Sequence, residues 1–235
     1  MRLWTIEPPN YDGDLPPLFI DAGANIGACS CFMAYHGIDT ISFEPNPLNF
    51  QILRKSVLFN KDKFANFIKI FRVGLGDKEY LQDIYYDETN FGNSVAGVAV
   101  GDFNSSVMVK LNDQIKIMKL DDMVWTNRKN GSPAPNVHLM KIDVQGYESL
   151  LLEGAKDLIA SRAIKMIKLE VGPQWLFAHN SSAHQLCSFL VARGYYLYSE
   201  ELIPIGAEVC HELDERQRRI SGSYPLMKEI IAVLH

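Results

Sequence analysis

Three short apolar runs in this chain each end on a carboxylate, and the first opens directly into a glycine turn and a helix. Leu18-Phe19-Ile20 ends at Asp21, Thr40 to Phe43 ends at Glu44, and Val137 to Ile142 ends at Asp143. Helical patterns fill the intervals: Ala28 to His36, closed by Gly37 as a C-cap, and Pro47 to Phe59, with Phe50, Leu53 and Val57 on one face. Phe67 to Val73, Ile164 to Val171, Tyr195 to Tyr198 and Ile230 to Leu234 read as further strands, and Tyr147 to Leu158 and Ser182 to Arg193 as further helices. Such alternation predicts a doubly wound, mostly parallel α/β sheet with helices on both faces. Ligands in these sheets lie beyond the carboxyl ends of the strands, where strand order reverses, so all three carboxylates are expected on one rim.

The pattern changes between Tyr80 and Leu120. Val107 to Leu111 and Gln114 to Leu120 are β-like runs joined by Asn112-Asp113, which predicts a hairpin, and the small-residue stretch Phe91 to Asn104 reads as a loop. Asn127 to Asn136, with Gly131, Pro133 and Pro135, reads as a surface connection. Residues 1–17, rich in proline, read as an extended arm before a single domain over 18–235, with a β insertion at 80–120. A chain of 235 residues builds a core of that size without disulfides or metal.

The net charge of −5 disfavours a nucleic-acid partner, because Arg216, Arg218 and Arg219 are the one basic cluster and suit a solvated face. Cys29, Cys31, Cys187 and Cys210 have neither metal-ligand nor disulfide-framework spacing and are expected as free thiols in a reducing compartment. No apolar run is long enough to span a membrane, and Met1 to Asn10 carries no basic-then-apolar leader, so a cytoplasmic location is favoured. The Asn-x-Ser triplets at Asn104, Asn130 and Asn180 are short enough to arise by chance.

The first turn, Asp21-Ala-Gly-Ala-Asn-Ile-Gly27, is Gly-x-x-x-Gly. Gly23 lets backbone approach a ligand closely, and Gly27 lets the helix start pack on the strand. A dinucleotide fingerprint needs glycines where Asn25 and Ala28 stand, and a phosphate P-loop needs a Gly-Lys-Ser/Thr that is absent. An acidic residue ahead of the turn disfavours a pyrophosphate and suits the cationic amino-acid end of S-adenosyl-L-methionine. Glu44, 23 residues after Asp21, is placed to accept both ribose hydroxyls of a nucleoside.

The segments Phe19-Ile-Asp-Ala-Gly-Ala-Asn-Ile-Gly27, Ser42-Phe-Glu-Pro-Asn-Pro47, Leu120-Asp-Asp122, Lys141-Ile-Asp-Val-Gln-Gly-Tyr-Glu148 and Lys168-Leu-Glu-Val171 together resemble the FkbM-type methyltransferases, over roughly residues 18 to 172. The resemblance implies the class I methyltransferase fold: a Rossmann-like, seven-stranded, mostly parallel sheet with an antiparallel C-terminal strand. It further implies O-methylation of a sugar, lipid or other small molecule. By the same resemblance Asp21, Gly23, Asn25 and Gly27 cradle the methionine part of the cofactor, and Glu44 holds the ribose. Pro45 and Asn46 shape the adenosine pocket, Asp77 contacts adenine, Asn93 and Ser94 lie near the cofactor, and Asp143 sits beside the sulfonium methyl.

Methyl transfer to a hydroxyl is an in-line displacement in which alignment dominates and a base removes the acceptor's proton. Asp143, Glu148 and Glu170 are the candidate catalytic carboxylates, with His179 behind them. Glu148 equally suits a carboxylate at a helix N-terminus, and Glu170 one that binds backbone amides. His138, inside a strand, reads as structural. No metal is expected, since His179 and His184 are poorly spaced as ligands and Asp121-Asp122 suits a helix start. Trp4, Tyr11 and Trp175 are candidates for the acceptor wall. Three other readings compete. An NAD-dependent dehydrogenase conflicts with the glycine spacing, and a base methyltransferase lacks its Pro-Pro-aromatic stretch after Asp143. A non-catalytic protein that binds the nucleoside remains the alternative.

Overall fold

A computed structural model of the chain describes residues 16–64, 67–87, 90–97, 108–124, 134–219 and 226–234, with the side chains of 90–93 excepted. The expected arm, apart from residues 16 and 17, lies outside these residues, as do Trp4, Tyr11, Asn104 and Asn130. The chain begins with β1 (Leu18–Ala22), α1 (Ala28–Tyr35), β2 (Asp39–Phe43), α2 (Pro47–Phe59), α3 (Lys61–Phe64) and β3 (Ile68–Phe71). An inserted region follows: β4 (Gly74–Leu75), β5 (Tyr80–Gln82), β6 (Ile84–Asp87), β7 (Asn90–Ala96), β8 (Met108–Lys110), β9 (Ile115–Met118) and α4 (Leu120–Val124). Alternation resumes with β10 (Val137–Ile142), α5 (Glu148–Gly154), α6 (Lys156–Ala160), β11 (Ile164–Val171), α7 (Pro173–Ala178) and α8 (Ala183–Val191). The last elements are β12 (Tyr195–Ser199), β13 (Pro204–Ile205), α9 (Ala207–Arg219) and β14 (Lys228–Leu234).

The main sheet runs β13-β12-β14-β11-β10-β1-β2-β3, with β14 antiparallel to both of its neighbours. Strand order reverses between β1 and β10, which places the crevice at the ends of these two strands. This is the class I methyltransferase arrangement, extended to eight strands by the short β13 on the edge. β1 is buried almost throughout, as a strand covered on both faces must be. Register alternation sorts its side chains. Ile20, Met140 and Ile167 align across three strands and join the cluster that holds Leu151, Leu158 and Leu190. Phe19, Leu139 and Met166, one residue earlier, face Met33 of α1 instead.

Four local expectations are corrected. The runs around Asn112-Asp113 form strands but do not pair with each other: β8 joins β6, whereas β9 joins β4 and β5, giving two three-stranded sheets. The stretch from Phe91, read as a loop, lies in β7 as far as Ala96. The helix expected from Tyr147 to Leu158 breaks at Ala155, because Asp121 reaches over to accept the Asp157 and Leu158 amides at 2.9 and 3.0 Å and caps α6. Cys187 and Cys210 are disulfide-bonded across α8 and α9, while Cys29 and Cys31 are free. Among the described residues no helix is long and apolar enough to cross a membrane.

Candidate functional site

The site grows from the end of β1. Gly23 turns with φ of 80°, and its N–H and that of Ala24 both donate to the Phe43 carbonyl at 3.0 Å. A Cβ on Gly23 would stand 1.8 Å from the Asp143 carbonyl oxygen, so only glycine lets the β1 and β10 ends meet this closely. At Gly27 a Cβ would stand 2.3 Å from Leu53 Cδ1, which fixes how α1 and α2 pack. Between the two glycines, Asn25 takes left-handed backbone with φ of 53° and turns its N–H inward.

That amide finds Glu44. One carboxylate oxygen accepts the Asn25 N–H at 2.7 Å and the other accepts the Asn46 N–H at 2.8 Å. Asn46 in turn caps α2 by accepting the Leu48 N–H at 2.9 Å, and its side-chain amide donates to Ser94 Oγ at 2.8 Å. Burial raises the Glu44 carboxyl to about 7, against the two amides, which favour its charged form. Each oxygen has acceptor capacity beyond its one amide, and Glu44 lines a cavity, open to solvent, with about 650 Å³ of empty space. Gly23, Asn25, Glu44, Pro45, Ser94 and Asp143 line that cavity with Phe43, Val73, Leu75, Ile84, Ile115 and Ile117. The apolar wall comes largely from the inserted strands, and a Cβ on Gly74 would meet Ile117 Cδ1 at 2.6 Å.

Carboxylates gather on the opposite rim. Gln145, with φ of 52°, donates through Nε2 to Asp143 Oδ1 at 2.8 Å and to Glu170 Oε2 at 3.1 Å. Lys141 Nζ donates to Asp143 Oδ2 and to the Gly23 carbonyl, both at 3.1 Å, and lies 3.6 Å from Asp21 Oδ1. Burial pushes Asp143 up, but Lys141, Glu170 and Gln145 together hold it below its ordinary value. Burial first, then the charge and hydrogen bond of Asp143, lift Glu170 to about 8. Burial and Asp143 thus favour the protonated form of Glu170, while Lys141 and Gln145 favour the charged form of Asp143.

The other residues singled out from sequence lie outside this lining. Asp21 is fully buried behind the turn, where it accepts the Ser30 hydroxyl at 2.5 Å, and Ser42 donates to Ser30 at 2.8 Å. Gly27 and Asn46 stand behind the wall, and Asp77, just past β4, is not among the lining residues. The Asn93 side chain lies outside the described residues. Glu148 is 2 % exposed beneath the loop after β10, where its Oε1 accepts the Val144 and Gly146 amides at 3.3 and 3.2 Å. Burial raises it to about 7. His179 packs its ring on Tyr147, 4.6 Å between centroids.

Several participants escaped the sequence reading. Gln145 links the two rim carboxylates, and Tyr147 lines the cavity while accepting the Gln82 amide at 3.0 Å. The apolar alternation Ile115-Lys-Ile117 was visible, but its target depends on the pairing of β9 with β4 and β5.

A family model described as the methyltransferase FkbM domain matches residues 21–197. The methyltransferase sdnD of Sordaria araneosa is 27% identical over 171 residues, which is 63% of this chain and 64% of the relative. The match thus spans slightly less than two thirds of that protein. Among solved structures, the methyltransferase FkbM from Methylobacillus flagellatus KT is 20% identical with a TM-score of 0.45, over 74% of this chain and 36% of its own. TrmK of M. capricolum, solved with S-adenosyl-homocysteine, is 12% identical with a TM-score of 0.45, over 92% of this chain and 62% of its own. The family match covers most of the chain and all five carboxylates of the site, and the chain belongs to the FkbM methyltransferase domain family, whose cofactor is S-adenosylmethionine.

Proposed function

We propose that this chain is an S-adenosylmethionine-dependent O-methyltransferase acting on the hydroxyl of a small-molecule, sugar or lipid acceptor. The observation that carries the reading is the cavity at the switch point, lined by Glu44 and Asp143, with Glu170 joined to Asp143 through Gln145 just outside the lining. The cavity suits the cofactor in kind. Gly23 and Gly74 line it at points where a Cβ would clash with the Asp143 carbonyl and with Ile117, Glu44 offers two acceptors to vicinal hydroxyls, and the isoleucine wall suits a purine face. Once bound, S-adenosylmethionine supplies a methyl group on a sulfonium, already a good leaving group.

The chain's own residues then have three tasks. Glu44, Asn25 and Pro45 hold the nucleoside, with Ser94 and Asn46 fixing the wall beside it. The Gly23 turn admits the amino-acid part, and Asp143 presents a negative charge toward the sulfonium. A hydroxyl acceptor must shed its proton as oxygen attacks, and Glu170, once ionised, is the acceptor of that proton. The raised value of Glu170 makes it a stronger base than an ordinary glutamate. Glu148 takes no such role here, since its carboxyl ties down the loop that carries Gln145. We read residues 18–235 as one domain, with the inserted strands as the wall of the site and no nucleic-acid partner.

Calorimetric titration with S-adenosylmethionine, S-adenosylhomocysteine and NAD on the wild type and Glu44→Ala tests this. Micromolar binding of both sulfur nucleosides, weakened at least ~30-fold in Glu44→Ala with NAD silent, is expected from loss of hydrogen bonds to a buried charge. Binding without turnover across a panel of hydroxyl acceptors would instead leave a nucleoside-binding protein. NAD binding, or none, would refute the reading.

A further inference from the structure

An ammonium inside a parallel strand is costly unless its charge is met, by several kcal/mol on the order of magnitude. Lys141 is the fifth residue of β10, and its side chain is 19% exposed. Three groups meet its charge: the Gly23 carbonyl, Asp143 Oδ2 and Asp21 Oδ1. They come from the turn after β1, from the end of β10 and from β1 itself. The second oxygen of Asp21 is already held by Ser30, so this carboxylate is a fixed counter-charge rather than a free ligand. A lysine serving packing alone has no need to join the Gly23 turn, where a Cβ would meet the Asp143 carbonyl, to the Asp143 carboxylate.

We propose that Lys141 is a positioning residue of the methyl-transfer site, joining the Gly23 turn to Asp143 and setting the charge that a sulfonium meets there. The inference rests on the reading of the cavity as an S-adenosylmethionine site. Two carboxylates, Asp21 and Asp143, face the one ammonium, an excess of acidic groups; burial raises Asp21, and the Lys141 charge opposes that rise. A sulfonium is favoured there over the neutral thioether of S-adenosylhomocysteine. Without the ammonium, two buried carboxylates stand with no counter-charge, and one takes up a proton near neutral pH. The preference for the sulfonium would then disappear as pH falls.

Other titratable groups face this cluster. Cys29 on α1 stays a thiol, because burial and then Asp21 push it up. Glu44 of β2 and Glu148 of α5 both titrate near 7, and Glu170 of β11 near 8. Lys168 of β11 is paired with Glu229 at 2.7 Å. The Lys141 charge also lowers Glu44 and Glu170, so the difference between the wild type and a Lys141 variant reports Asp21 and Asp143 most directly and Glu44 and Glu170 in smaller part.

The test is the ratio of S-adenosylhomocysteine to S-adenosylmethionine dissociation constants between pH 5.5 and 7.0, by calorimetry. Wild type, Lys141→Met and Lys141→Arg are compared, with melting curves for each. In the wild type the ratio is expected to change less than about twofold, and in Lys141→Met to rise about tenfold with pH, one coupled proton. Lys141→Arg is expected to keep the flat ratio with weaker binding of both, since its planar fork fits the three partners differently. Equal weakening of both ligands at every pH in Lys141→Met would make the lysine a packing residue and overturn the proposal. So would unchanged binding. If Lys141→Met does not fold, a pH-dependent ratio in Lys141→Arg or in the wild type overturns it equally. A wild type that binds neither ligand defeats the cofactor reading itself, and this inference with it.

Discussion

The two halves of the main sheet present the same rim to the same crevice but are held in different ways. On the β1–β2–β3 side the decisive contacts are backbone contacts: two amides on the Phe43 carbonyl, two on Glu44, and a glycine against the Asp143 carbonyl. On the β11–β12–β14 side the helices are fixed by side chains from afar. Asp214 of α9 caps α8 by accepting the Ala183 and His184 amides, both at 2.9 Å, and the Cys187–Cys210 bond joins the same two helices. The first half is built to approach a ligand, and the second to support the sheet behind it. Lesions in the first are therefore expected to remove binding, and lesions in the second to lower stability while binding survives.

Gly23→Ala is the harshest test of that division. Left-handed backbone with a Cβ costs ~1–2 kcal/mol, and the clash with the Asp143 carbonyl adds a further ~1–3. Loss of measurable S-adenosylmethionine binding, with a cooperative unfolding transition retained, is the expected result of calorimetry and denaturant titration. Binding within threefold of wild type would break the comparison.

Removal of the cross-link comes next. Cys187→Ala with Cys210→Ala opens a loop of sequence separation 23 and is expected to lower unfolding free energy by ~3 kcal/mol in urea. The dissociation constant of the cofactor should stay within about twofold. A loss of affinity as large as the loss of stability would show that the two halves are not separable.

The smallest effect is the most discriminating. The carboxyls of Glu44 and Glu148 near 7 and of Glu170 near 8 lie above their ordinary 4.5, so the folded chain retains protons the unfolded chain has released. Their contribution to stability is fully present below about pH 4.5 and is lost as pH rises through 7 to 8. The unliganded protein should accordingly melt at a lower temperature at pH 8.5 than at pH 5.5. Cofactor affinity should run the opposite way, since Glu44 accepts hydroxyls best when ionised, strengthening about tenfold from pH 6 to 8. Parallel trends would place the titration away from the ligand.

The same contrast explains what was legible in the chain. Gly23, Glu44 and Asp143 were readable because a tight turn and a strand-end carboxylate are local requirements, each satisfied within a few residues. Asp121 and Asp214 were not readable, because each caps a helix about thirty or more residues away in sequence; Asp121 at a helix start has an adequate local explanation, and Asp214 lies inside α9 among other charges. Nor does a spacing of 23 between two cysteines announce a bond; α8 and α9 must first be packed side by side. The helix α9, rich in charge, concealed an inward stripe of Cys210, Leu213 and Gln217. Glu148 had two local readings, and its contacts with the Val144 and Gly146 amides could be named only from the fold. Lys141 lay inside a recognised motif with Asp143, yet its other two partners, Asp21 and the Gly23 carbonyl, belong to β1 and the turn after it and could be named only once β1 and β10 were in register.

Glu44 engages the Asn25 and Asn46 amides through both of its oxygens, so the chain's own backbone ties this wall of the cavity together. A wall tied in this way offers little steric distinction between a substrate and a product that differ by one methyl group. Under the proposed function, product inhibition and the exchange of spent cofactor are expected to depend on electrostatics at the Asp143 rim rather than on shape.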